Sequence, residues 1–121
     1  MPVTLPNGVE IRAEVALTPQ EHQTGMMFRS HLPVDRGMLF VFADMQLRSF
    51  YMYQTLIPLD ILWINADRRI VYISADTPPC PAKNPAACPN YGEGMTAQYV
   101  LEIAGGQAAK RGLRVGDRLS F

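Results

Sequence analysis

The sequence predicts a mostly β fold, an antiparallel β-sandwich or partly closed barrel with two short helices, in a single domain over residues 1–121. Three observations carry that expectation. Short runs rich in Val, Ile, Phe and Tyr recur with turn residues about every ten positions. Only two stretches carry helix start or stop signals. One run, Leu56–Ile64 (LIPLDILWI), is apolar on both faces of a strand, as a central strand must be.

Val9–Val15 (VEIRAEV) alternates strictly, with Val9, Ile11, Ala13 and Val15 to one side and Glu10, Arg12 and Glu14 to the other. That is a half-buried strand with one wet face. Thr18-Pro19-Gln20-Glu21 then supplies an N-cap, a proline suited to the first helical position and the acidic partner of a capping box. The helix weakens at Gly25. Gly37–Phe42 and Arg48–Tyr53 read as strands around a turn at Asp44. Leu59–Ile64 and Ile70–Ser74 read as two more, joined by Asn65–Arg68. Asp67-Arg68 stands where a tight hairpin prefers Asp-Gly, so that turn is longer or mildly strained. Gln98–Ile103 is another strand, Gly106–Gly112 a short helix closed by Gly112, and Asp117–Phe121 a final strand.

Composition excludes several classes of function. Eleven basic residues balance eleven acidic ones, which leaves no electrostatic footprint for nucleic acid. No apolar stretch is long enough to span a membrane. The first residues lack the charged and apolar regions of a signal peptide. Both cysteines lie in Thr77–Tyr91, where five of fifteen residues are proline. Such a segment is neither helix nor central strand, and it suggests a Cys80–Cys88 disulfide. Two free thiols or a metal pair are the alternatives, although the spacing does not match the close cysteine pairs of zinc sites. A structural disulfide points to a periplasmic or secreted setting, with the cytoplasm as the alternative and any targeting segment absent from this chain.

Asp60 is the residue that asks for an explanation, because a carboxylate inside an apolar strand needs partners. One reading caps a turn or pairs it with Arg29, Arg36 or Arg48. The other makes an Asp60–Arg29 pair the polar floor of a ligand pocket, flanked by Tyr51, Met52, Gln54 and Thr55.

The runs Gly25–Arg29 (GMMFR), Gly37–Phe42 (GMLFVF), Phe50–Met52, Thr55–Ile61 (TLIPLDI) and Tyr99–Glu102, with Cys80, Tyr91 and Val115–Asp117, resemble domain-of-unknown-function family 192 in order and spacing. The resemblance covers about residues 9–121. It implies a compact, mostly β domain, often behind a secretion or lipid-attachment segment, with no established biochemical role. Matched position by position, it marks Glu21, Gly25, Met27, Arg29, Gly37, Phe40 and Met52, then Thr55, Pro58, Asp60, Cys80, Tyr91, Glu102 and Asp117. Two positions depart from the family pattern: Tyr51 stands where Trp is usual and Gln54 where Asn is usual.

His22, Met26, Met27 and His31 form a weaker constellation, whose imidazole and thioether donors suit Cu(I); core packing explains the same methionines. No hydrolase, zincin or nucleotide-binding motif is present, and Asp60, Glu102 and Asp117 cannot be brought together by spacing alone. The reading favours a domain without cofactor or catalytic residues that binds a small polar ligand, carbohydrate or peptide. A soft-metal protein and a partner-interaction domain without a small-molecule site are the alternatives.

Overall fold

In the computed structural model, which describes residues 1–121, the strands β1 (Pro2–Thr4), β2 (Glu10–Ala16), β3 (Arg36–Leu47), β4 (Leu59–Ile64), β5 (Ile70–Thr77) and β6 (Thr96–Ala104) form one sheet in the order β1-β2-β3-β6-β4-β5. The helices are α1 (Pro19–Thr24) and α2 (Gln107–Lys110). Every neighbouring pair is antiparallel except β2 and β3, which run parallel. A parallel pair needs a crossover, and α1 with the turns after it supplies one. The mostly β class with two short helices therefore holds, in a mixed sheet.

The chain's end nearly closes that sheet. Ser120 bridges Thr4 at the end of β1, and Arg118 bridges Arg69 just before β5. The C-terminal segment thus ties together the two outer strands as a partly closed barrel. It contributes isolated bridges where Asp117–Phe121 had been expected to form a strand.

Side-chain alternation sorts the core into two clusters. Val3, Ile11, Leu39, Leu62, Ile64, Leu101 and Ile103 fill one face of the sheet with Leu113 and Leu119. Met26, Met38, Phe40, Met52, Ile61, Trp63 and Val100 fill the other. All six residues of β4 are buried, which is why its sequence is apolar at both parities.

Segments 48–57 and 78–95 cover the second cluster. Arg48–Tyr53 is irregular, and this corrects the strand expected there. Its backbone groups bond to other loops: Phe50 and Tyr91 exchange N–H···O bonds of 2.9 and 2.7 Å, and the Cys80 N–H donates to Met52 O at 3.2 Å. The turn expected at Asp44 is a bulge within β3, where Phe42–Met45 stand against Gln98 alone. The disulfide between Cys80 and Cys88 is formed. The capping box is present, with the Glu21 N–H donating to Thr18 Oγ1 and the Thr18 N–H to Glu21 Oε1. Arg68 takes a left-handed backbone, φ 64°, which is the strain foreseen for its hairpin.

Candidate functional site

Asp60 has no arginine partner, contrary to the sequence expectation. It is fully buried and its carboxylate is held by backbone donors. Oδ1 accepts from the N–H of Asp76 at 2.6 Å and of Gly106 at 3.0 Å; Oδ2 accepts from Ala108 N–H at 2.7 Å. The Asp76 donor comes from a bulge in β5, where Ala75 and Asp76 stand opposite Asp60. The other two open α2. One carboxylate thus ties three segments together, and all three donors are peptide groups with no residue-type signature.

The arginines are engaged elsewhere. Arg29 forms a two-pronged ion pair with Glu14, its Nη2 at 3.0 Å from Oε1. That contact pulls the Glu14 carboxyl below its usual range and raises Arg29. Arg48 reaches Asp44 at 3.1 Å and Arg36 lies 3.9 Å from Asp35. Asp60 is served instead by the backbone N–H groups that the β5 bulge and the start of α2 bring to it.

Glu102 is the carboxyl that shapes a site. It lies on β6 opposite Met38 of β3 and Ile61 of β4, 3% exposed. Its Oε1 is buried and has no hydrogen-bond partner in the protein. Burial pushes its pKa up to about 8, against the opposing pull of the Arg29 charge. At neutral pH Glu102 is thus mostly a carboxylic acid, able to donate as well as accept.

Above it opens a groove of about 470 Å³ between α1 with the turn after it and segment 47–55. Phe40, Phe50, Tyr51 and Tyr53 supply aromatic walls, with Thr55 and Glu102 as polar lining. Phe40 and Phe50 meet edge to face, ring centres 4.9 Å apart. Gly25 lies against the floor. A Cβ at this position would approach Phe40 Cζ to 3.3 Å and Glu102 Oε1 to 3.8 Å. His22 stands at the helical side with Nε2 within 3.0 Å of both Ala16 O and Val41 O. Two carbonyl acceptors on one nitrogen require that Nε2 carry the proton.

The residues singled out in sequence therefore divide. Tyr51 and Thr55 line the groove. Met52 is buried beneath it at 1% exposure, part of the second core cluster. Gln54 is exposed and has φ 55°, and its carbonyl accepts the Phe28 N–H at 2.9 Å, joining the two rims. A left-handed backbone is uncommon outside glycine and favours Asn over other side chains. Arg29 lies outside the groove and Asp60 belongs to the opposite face. Of the soft-metal set, His22, Met26 and Met27 border the groove while His31 lines a separate hollow with Arg12 and Arg36. Glu102 was visible in sequence as a carboxylate within an apolar strand, the same signal that singled out Asp60.

Comparison with known proteins shows the family and similar folds. The model of an uncharacterised family, DUF192 (Uncharacterized ACR), matches residues 3–121. A protein of unknown function from Novosphingobium aromaticivorans DSM 12444 is 35% identical, with a TM-score of 0.82, covering 100% of this chain and 84% of that one. A protein from Sinorhizobium meliloti 1021, titled "putative transcription regulator", is 30% identical, with a TM-score of 0.83, covering 98% of this chain and 89% of that one. No curated protein matches.

Proposed function

The chain belongs to the DUF192 family, and from that premise we propose that it is a binding domain whose site is the groove above Glu102. The ligand is a small polar molecule, a carbohydrate or a peptide segment. The observation that carries this reading is the unpartnered Oε1 of Glu102 beneath an aromatic-walled groove. A buried polar atom left without a partner costs about 1–3 kcal/mol, and a ligand that bonds the carboxyl recovers that cost. Tyr51, Tyr53 and Phe50 offer stacking surface, and Thr55 a second polar contact.

The other residues act through the frame. Asp60 fixes the far end of β4, Met52 backs the wall, and the Gln54 carbonyl ties the rim. Arg29 acts on Glu102 through its charge alone. Nothing in the groove is arranged as a nucleophile with its base, so the reading is binding without chemistry. No helix is long and apolar enough to cross a membrane. The disulfide in so small a domain supports a periplasmic or secreted setting.

Amide chemical-shift mapping tests the proposal. Cellobiose, maltotriose and end-blocked dipeptides are titrated separately into wild type and Glu102→Ala. Saturable shifts at Gly25, Tyr51, Tyr53 and Thr55 that vanish in the variant are expected. Failure of every probe to move these amides would overturn it. A second reading, a partner-interaction surface, is favoured by Phe28 and Leu47, each 66% exposed. It predicts instead a partner whose capture depends on those two side chains.

A further inference from the structure

The groove binds more than shape if its charges are taken one by one. Its ionisable lining is His22, Arg48, Tyr51, Tyr53 and Glu102. Arg48 is balanced by Asp44 at 3.1 Å, and its guanidinium lies 3.9 Å above the Phe42 ring. The neighbouring cation, Arg29, is held by both oxygens of Glu14. His22 spends its Nε2 proton on two carbonyls. Glu102 alone has neither a hydrogen bond at Oε1 nor a contacting counter-ion. The buried ionisable group left uncompensated in the groove is therefore an acid, and Phe40, Phe50, Tyr51 and Tyr53 line the same groove.

Buried acid and aromatic rings together favour one ligand chemistry. Ring faces attract cations, most strongly cations that are weakly hydrated and can leave water at small cost. A carboxylate in the same dry space adds a full charge. Arg48 over Phe42 shows a cation already seated on a ring at the groove's edge. We propose that the groove's ligand is a small organic ammonium ion, its charge placed between the aromatic walls and Glu102. This rests on the binding reading above and narrows it to a class.

The arrangement has a consequence for protons. Glu102 gives up its proton to solvent as the ammonium ion enters, so binding tightens as pH rises toward and through 8. The groups facing Glu102 across the groove are His22 on α1 and Arg48, Tyr51 and Tyr53 on the covering segment, with the Arg29 charge acting from outside the groove. Arg29 is held in its charged form by its two-pronged contact with Glu14. A neutral ligand that accepts a hydrogen bond from the protonated acid shows the opposite trend.

The test compares choline with 3,3-dimethylbutan-1-ol, its uncharged carbon isostere, by calorimetry on wild type and Glu102→Gln. Choline is expected to bind at least tenfold more tightly than the isostere, more tightly at pH 8.5 than at pH 6.5, and with proton release. Glu102→Gln is expected to abolish the preference. Tyr51→Leu, at the rim, is expected to weaken choline severalfold while keeping the pH trend, which serves should the glutamine variant not fold. Equal affinity for choline and the isostere, or affinity falling with pH, overturns the inference. If cellobiose or a dipeptide binds at the groove and choline does not, the ammonium assignment fails and the binding proposal stands. If no probe binds, both fail.

Discussion

Asp60 and Glu102 occupy neighbouring strands one register step apart, Asp60 opposite Ile103 and Glu102 opposite Ile61, and face opposite sides of the sheet. Both are buried carboxyls. Asp60 receives three backbone N–H bonds, and Glu102 Oε1 receives none. The same residue chemistry is thereby divided into a structural anchor and a group without a partner in the protein.

Asp60→Asn is expected to destabilise the fold by about 2–4 kcal/mol, because the amide turns one acceptor into a donor facing N–H groups. Urea denaturation measures this directly. A change below about 1 kcal/mol with lost groove binding would reverse the roles assigned to the two carboxyls.

Glu102 makes stability depend on pH in a defined direction. Its folded pKa of about 8 lies above the ordinary 4.5, so between these values the folded state holds more protons than the unfolded one. Stability then falls as pH rises. The contribution is fully present below about pH 4.5 and is lost as pH passes through 8. Glu14 and Glu21 are shifted the other way and act at lower pH. Denaturation curves of wild type and Glu102→Gln should therefore diverge from pH 5 to about 8, the variant gaining up to several kcal/mol relative to wild type, with the gap levelling off above that. Parallel curves would contradict the assignment.

Removing the disulfide by Cys80→Ser with Cys88→Ser is expected to cost about 2–3 kcal/mol. The Cys80 N–H bonds to Met52 O, so the groove wall loosens with the loop. Hydrogen exchange should quicken at Cys80, Phe50 and Tyr91 ahead of β4. Uniform quickening across the sheet would deny that local coupling.

Gly92 lies on the Trp63 indole, where a Cβ would come within 2.2 Å of Cζ2. Its φ of 75° is left-handed as well. Gly92→Ala is expected to cost about 3 kcal/mol or more, with a shifted Trp63 emission. A variant as stable as wild type would show that segment 90–95 can lift off the sheet.

Much of the fold was legible because it follows local rules. The alternation in Val9–Val15 marks a strand with one wet face, and Thr18 with Glu21 caps a helix wherever it occurs. The two apolar faces of Leu59–Ile64 require cover on both sides, which the two clusters supply. Arg48–Tyr53 was misread because aromatic β-formers were given loop partners, a tertiary choice that propensity does not contain. β1 is only three residues long and includes a proline, too short a pattern to register. The parallel β2–β3 pairing leaves no local trace. Asp60 could be flagged in sequence as needing partners, but peptide N–H groups belong to every residue and cannot be named beforehand. Glu102 gave the same signal as Asp60, and only the fold shows which of the two goes without partners.

The central claim is that Glu102 sits in the groove floor as a buried acid lacking partners. Carbon-detected NMR of its side-chain carboxyl, followed from pH 3 to 10, measures that state directly. A midpoint about 8, falling when a cation occupies the groove, is the predicted result. A midpoint between 4 and 5 in the free protein would show a hydrated or paired carboxylate and contradict the account.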